Sequence, residues 1–338
     1  GAAGQDHLSA IDSLIEEYFY AKSPLQNQET GKALKGILDE HREVFQSHIE
    51  TKNCPSHDCG KLAPSPCQMA CPAGIDVPTY LSLIAEGKDA QAIEVIRRDC
   101  PLPWVCGLIC TRPCEMMCVR ARIDTPISIK FLKAFAAERA MSDGAYKNPE
   151  KKDFNGKKIC VIGAGPGGLS AAYYLALMGY GVRVIESLPV SGGMLMVGIP
   201  RYRLPREVID REVAMIEELG VKFSYNTRFG KDVTFEELKK EGYNAFFIAI
   251  GAHKSWDLGI KGEKEFSKVF DAVKFLKDVA LGDHHVPGKH VVVIGGGNVA
   301  IDAARTSLRL GAELVTIAYR RSRTQMPADI EEVEQAEE

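Results

Sequence analysis

Nine of the chain's ten cysteines crowd into the 65 residues from Cys54 to Cys118. They run Cys54-x4-Cys59-x7-Cys67-x3-Cys71-Pro72, then Cys100, then Cys106-x3-Cys110-x3-Cys114-x3-Cys118. A stretch this rich in thiols is either stapled by disulfides or folded around metal. Thiolates at such short spacings suit soft metals, iron–sulfur clusters above all. Five disulfides would require an oxidising compartment. The glycine loops that follow are of the intracellular nucleotide-binding kind, so metal or redox use is the reading taken, with cytoplasmic localisation.

Size and charge narrow the rest. At 338 residues the chain can build two or three domains with cores of their own. A net charge of −3 gives no basic surface for nucleic acid or anionic membrane. No apolar run approaches the ~20 residues of a membrane helix, and no charged start followed by an apolar stretch marks a secretion signal. The chain opens on GAAG and stops at Glu338 just as its second nucleotide fold begins, so both ends are expected to belong to something longer.

Apolar residues at helical spacing predict helices at 7–20 and 32–49. Asp76 can cap a helix carrying Pro78 in its first turn and ending at Gly87. A partner is predicted from Asp89 to Arg98, and another helix at 127–140. The cysteine region therefore reads as helical pairs joined by cysteine loops, without strands, and small enough for metal to hold it together. After a polar linker from Ser142 to Gly156 the pattern changes. Short apolar strands at Lys158–Ile162, Val182–Ile185, Ala245–Ile250 and Val291–Ile294 alternate with helices, which argues a parallel, doubly wound sheet.

Gly163-x-Gly165-x-x-Gly168 directly follows a strand and opens a helix. The three glycines serve a tight turn, close backbone approach to a pyrophosphate, and helix–strand packing. Glu186, 18 residues beyond Gly168 at the end of the next strand, suits a ribose diol. Small residues in 191–194 and 198–205 would let backbone lie against a flat ring, which makes Gly192, Gly193, Met194, Arg203 and Leu204 candidate flavin contacts. Gly295-x-Gly297-Asn298-x-Ala300 repeats the fingerprint with the permitted alanine variant. The following strand ends in Arg320 and Arg321 where an NAD site would have an acid. Paired guanidiniums there favour the 2′-phosphate of NADP(H).

The segments CQMACP (67–72), VCGLICTRPCEMMC (105–118), PISIK (126–130), Gly163–Gly168, Gly198–Pro205, Gly295–Ala304 and YRRSRTQMP (319–327) resemble those of a known family. It comprises the small (beta) subunit of glutamate synthase and the N-terminal half of dihydropyrimidine dehydrogenase. The resemblance runs from residue 62 to the end. It implies a helical iron–sulfur domain followed by two Rossmann-like domains, holding one or two 4Fe–4S clusters, FAD and NADP(H). By position, Cys67 and Cys118 would serve one cluster, and Cys71, Cys110 and Cys114 the other. The last ligand of the second cluster is left open. Lys133 occupies the place where one family member supplies glutamine, and Cys106 is the nearest spare thiol. The family's C-terminal return to the flavin domain lies beyond Glu338, so the second nucleotide domain and that return are expected to be truncated.

Residues 1–60 resemble instead the C-terminal helical end of the NADH-binding flavoprotein subunits of complex I and related hydrogenases, through EHREVFQSHI (40–49) and CPSHDC (54–59). In that setting His48, Cys54 and Cys59 could bind zinc, which accepts mixed Cys/His sites; zinc and cluster ligation both stay open. The domains are therefore expected at 1–60 (helical), 61–145 (iron–sulfur), 157–288 (FAD) and 289–338 (the start of an NADP(H) fold). The expected function is an oxidoreductase electron-transfer unit linking NADP(H), FAD and clusters within a hetero-oligomer of redox subunits or with a ferredoxin. An electron-bifurcating transhydrogenase is one such complex. The alternatives are a glutamate synthase small subunit and, in another class, a metal-stabilised docking module with a degenerate nucleotide fold.

Overall fold

The computed structural model describes residues 9, 12, 13, 32, 35–51, 64–255 and 257–338, with the side chains of 48–51 left out. Two compact units divide the chain at Pro64/Ser65. In the first, residues 35–40 and α1 (Arg42–Thr51) are helical, as predicted for 32–49. Almost all of the helix predicted at 7–20, together with Cys54 and Cys59, lies outside the described residues.

The second unit begins with a helical region whose starts are set by proline. Helices α2 (Pro66–Ala70), α5 (Pro103–Ile109) and α6 (Pro113–Met116) each open on a proline, which is preset for a first turn and has no N–H to leave unpaired. Between them, α3 (Val77–Ala85) is capped as expected: Asp76 accepts from the Thr79 N–H at 3.2 Å. Helix α4 (Asp89–Arg97) and the longer α7 (Ile129–Ser142) complete the region. The cysteines were expected in loops, yet Cys67, Cys106 and Cys114 ride on α2, α5 and α6. Helices of four to seven residues are too short to show a 3.6-residue period.

The helical region also has a protein core. Ile75, Val77, Tyr80, Ile93, Ile96, Ile129, Ala136 and Ala137 are buried together, and Met215 from the nucleotide fold joins them. The traffic runs both ways. Leu102 and Val105 of the helical region are buried in the core of the nucleotide fold, beside Val161, Leu169, Tyr173 and Ile209. Burial of this shared apolar surface ties the two regions together without metal.

The nucleotide fold is built on four parallel strands in the order β3-β2-β1-β4: β1 (Lys158–Ile162), β2 (Gly181–Ile185), β3 (Lys222–Ser224) and β4 (Tyr243–Ile248). The order reverses between β1 and β4, and the loop leaving β1 sits at that switch point, where ligands bind in such sheets. Helices α8 (Pro166–Leu177), α9 (Met194–Val197), α10 (Arg206–Glu218) and α11 (Phe235–Lys240) connect these strands. After α12 (Ala272–Ala280), a second parallel pair, β5 (His290–Ile294) and β6 (Leu314–Ala318), flanks α13 (Asn298–Arg309), and α14 (Ile330–Glu337) follows. The polar linker is not free: Lys152 and Asn155 donate to the carbonyls of Leu177 and Gly179, and Tyr146 is buried. Among the described residues no helix is long and apolar enough to cross a membrane.

Candidate functional site

The first fingerprint is compact for a steric reason. Gly163 has φ +107°, and a Cβ there would stand 2.3 Å from the Ala249 carbonyl oxygen. A Cβ on Gly168 would fall 1.9 Å from the Gly163 oxygen, so only glycine lets α8 start this close to β1. The 191–194 loop closes over it: the Gly192 N–H donates to Ala164 O at 2.8 Å, and Gly193 lies against Gly165 so tightly that a Cβ would meet its Cα at 2.7 Å. Gly163, Gly165, Gly168, Gly192 and Gly193 thus form one continuous backbone surface, with Met194 half-buried at its edge.

Glu186 is where expected, at the end of β2, buried and already engaged. Its oxygens accept from the Ala164 N–H (2.8 Å), the Leu188 N–H (2.8 Å) and Ser187 Oγ (3.1 Å). A carboxylate has about four acceptor sites, so it can brace the fingerprint loop and still receive a ribose hydroxyl. Arg203 and Leu204 are held by the protein itself. Both of their N–H groups donate to Pro200 O, and the Leu204 side chain is fully buried in the core. The Arg203 guanidinium pairs with Asp302 (2.6 Å) and Glu332 (2.7 Å), and Arg305 pairs with the same Glu332 (2.5 Å). Arg305 and Arg309 stack on the Tyr202 ring at 4.6 and 3.9 Å. Burial beside Arg203 leaves the Asp302 carboxyl pushed up to about 6. The loop around Arg203 is therefore bolted to α13, the helix of the second fingerprint.

At that fingerprint Gly297 caps α13 and Ala300 is buried. Asn298 Oδ1 accepts from the Asp329 N–H at 2.8 Å. Gly295 follows β5 directly and donates its N–H to Ala318 O. Arg320 and Arg321 are exposed just past β6, and neither has a carboxylate partner among the described residues, whereas nearby Arg323 is held by Glu337 at 2.5 and 2.8 Å. The two arginines singled out by the sequence are the ones left available to a phosphate.

Of the thiols, Cys71, Cys110 and Cys114 converge. Together with Lys133, Arg112 and the apolar Ile75, Val77, Tyr80 and Ile129 they line one small pocket inside the helical region. Burial, reinforced by negative Cys110 and Glu115, pushes the Cys114 thiol up to about 11. Among the described residues, no three His, Cys, Asp or Glu side chains are close enough to share a single metal ion. A four-iron cluster is wider than an ion and holds its thiolates further apart, so three cysteines around an apolar pocket fit a cluster and not a lone zinc. Cys67 lies 3.1 Å from Ser65 Oγ, and Cys118 opens the short 3-10 turn Val119–Arg122. Neither lines the pocket, in keeping with a separate cluster. Cys106 does not line it either: the neighbouring thiol of the buried Cys100, together with desolvation, pushes Cys106 up.

Three residues that sequence reasoning passed over organise this site. Arg112, between Cys110 and Cys114, adopts the left-handed conformation (φ 50°, ψ 47°) and donates its N–H to Cys110 Sγ at 3.3 Å. Its guanidinium reaches Glu115, Asp329 and Glu331, tying the cysteine loop to the segment bonded to Asn298. Glu212 of α10 is fully buried and accepts from the Trp104 N–H (2.8 Å), the Val105 N–H (3.1 Å) and Tyr146 Oη (3.1 Å), capping α5 from the nucleotide fold. Desolvation pushes its carboxyl up to about 8, against the pull of those donors. Asp302 is the third. Glu212 was findable, since it falls on the apolar stripe Val208, Ile209, Val213 and Ile216 of α10. Arg112 and Asp302 were not, because their partners are distant in sequence.

Fold and motifs together are those of an iron–sulfur domain joined to a pyridine-nucleotide oxidoreductase fold. The profile of the pyridine nucleotide-disulphide oxidoreductases matches residues 157–338, and that of dihydropyrimidine dehydrogenase domain II, 4Fe-4S cluster, matches residues 38–145. The chain belongs to the pyridine nucleotide-disulphide oxidoreductase family. It is 40% identical over 344 residues to NADPH-Fe(3+) oxidoreductase subunit beta of Geobacter sulfurreducens, covering 100% of this chain and 51% of that one. It is 43% identical over 296 residues to NADP(+)-dependent formate dehydrogenase subunit beta of Moorella thermoacetica (81% and 42% covered). Identity to the NADPH glutamate synthase small chain of Halomonas elongata is 34% over 297 residues (84% and 62%). The chain spans about half the length of the first two of these relatives. These matches bear out the resemblance read from the cysteine and glycine motifs.

Proposed function

We propose that this chain moves electrons between NADP(H), FAD and two 4Fe–4S clusters as one part of a larger cytoplasmic hetero-oligomer of redox subunits. The observation that carries the reading is the convergence of Cys71, Cys110 and Cys114 on one pocket whose walls are anchored in the nucleotide fold. Residues Cys71, Cys110 and Cys114 would hold one cluster, and Cys67 and Cys118 would serve the other. For Cys54 and Cys59 the cluster reading is preferred to zinc with His48, because both fall inside the matched 4Fe-4S segment. The NADPH-Fe(3+) reductase subunit matches the whole chain and the glutamate synthase chain 84% of it, which favours a redox complex of the former type.

The bound cofactors supply hydride transfer and single-electron transfer; the protein supplies position and charge. The backbone surface from Gly163 to Gly168, closed by Gly193, offers N–H groups and the α8 N-terminus to a pyrophosphate. Glu186 orients a ribose, and Arg320 and Arg321 select the 2′-phosphorylated nucleotide. Glu212 holds α5 against α10, so the cluster pocket and the flavin site keep one fixed separation. Protein purified without oxygen should contain iron, sulfide and flavin, with visible absorbance that bleaches on adding NADPH. Colourless protein, or colour that NADPH leaves unchanged, would refute the reading.

A further inference from the structure

Lys133 is a charge buried where the fold gives it no carboxylate. It stands on α7, one residue before Ala134, at the point where α7 and α5 come closest: a Cβ on Gly107 would meet Ala134 N at 2.6 Å. That crossing leaves the lysine 7% exposed and turns it into the pocket lined by Cys71, Cys110 and Cys114. Among the described residues it makes no ion pair with Asp or Glu, whereas Lys130, one turn earlier, lies 3.6 Å from Glu331. The side chains that share the pocket with it are the thiols of Cys71, Cys110 and Cys114. An unpaired buried ammonium costs several kcal/mol, so this position makes sense only if negative charge arrives with the pocket's occupant.

We propose that Lys133 is the fixed counter-charge of the cluster held by Cys71, Cys110 and Cys114, and that it sets that cluster's reduction potential. The proposal rests on the cluster ligation argued above. Reduction adds one electron, and no proton, to a group already negative through its thiolates. A cation in the same low-dielectric pocket stabilises the reduced state more than the oxidised one. Lys133 is thus a positioning residue for charge, not a ligand.

The test compares wild-type chain with Lys133→Met, similar in length but neutral, and Lys133→Arg, which keeps the charge. Iron and sulfide content come first; a wild-type chain that takes up no cluster refutes the proposed function itself. Each cluster's midpoint is then read by an anaerobic redox titration followed by electron paramagnetic resonance, with the flavin midpoint as internal control. Lys133→Met should make reduction of one cluster at least tenfold less favourable, which is 59 mV for one electron. The other cluster and the flavin should move far less, and Lys133→Arg should stay close to wild type. Loss of the cluster in the methionine variant with retention in the arginine variant would also support a charge role. Unchanged midpoints in Lys133→Met, or equal loss of the cluster from both variants, would overturn it.

Discussion

Replacing Gly107 by alanine would add one methyl group at the closest helix crossing in the cysteine region. The new Cβ would stand 2.6, 2.7 and 2.8 Å from the N, Cα and Cβ atoms of Ala134. Carbon contacts are comfortable only at about 3.5–4.0 Å, so α5 and α7 would have to part by about 1 Å. Nothing in the contact can give by rotating, because backbone meets backbone. Overpacking of this kind costs about 1–3 kcal/mol, and at about 2–4 °C per kcal/mol the holoprotein should melt roughly 2–12 °C lower. The displacement should also be felt in chemistry, since Cys106 precedes Gly107 and Lys133 precedes Ala134. Iron content after anaerobic reconstitution should fall along with the melting temperature. Gly36 is the control: nothing lies within 4 Å of where its Cβ would stand, so Gly36→Ala should be neutral or slightly stabilising. A Gly107→Ala protein that melts with wild type and binds full iron would refute the argument that this crossing shapes the pocket.

Other perturbations follow from the same geometry. Because burial raises Glu212 to about 8, the folded chain binds that proton more tightly than the unfolded one; the stability this gives is fully present below the ordinary carboxyl value of 4.5 and is lost as pH rises to about 8. Urea midpoints of the metal-free chain should therefore decline over this window with a slope of up to about 1.4 kcal/mol per pH unit, and Glu212→Gln should flatten the decline; parallel profiles would sink the assignment. Arg203→Ala takes from the buried Asp302 its cation at 2.6 Å, while Glu332 keeps Arg305, and should cost about 3–5 kcal/mol in thermal or chemical unfolding. Arg320→Ala and Arg321→Ala should each weaken NADPH binding by about 1.5–3 kcal/mol while leaving NADH binding alone. Equal losses for both nucleotides would show that these arginines do not read the 2′-phosphate.

What could be read along the chain was whatever chemistry writes locally. Gly163, Gly165 and Gly168 announce a strand–turn–helix because the positive φ of Gly163 and the collision of a Gly168 Cβ with the Gly163 oxygen both arise within six residues of chain. Arg320 and Arg321 are legible because they lie just past a strand of the second nucleotide fold, where the fingerprint expects an acid for NAD. The thiol spacing from Cys67 to Cys118 determines soft-metal chemistry by residue type alone. Short helices such as Pro103–Ile109 escaped periodicity, though each carries its proline as a start signal.

Only the tertiary structure decided which of those thiols face one another. Cys71 meets Cys110 and Cys114 because α2, α6 and α7 pack around one apolar pocket, while Cys106, four residues before Cys110, turns instead to Cys100. The partner of the Arg203 guanidinium, Asp302, stands 99 residues away and only packing brings it there. Lys133 is an ordinary helical lysine in the sequence, and becomes a buried neighbour of Cys71, Cys110 and Cys114 where Gly107 lets two helices nearly touch. Local chemistry specifies what a residue can do; long-range packing fixes the partners and the dielectric that decide what it does.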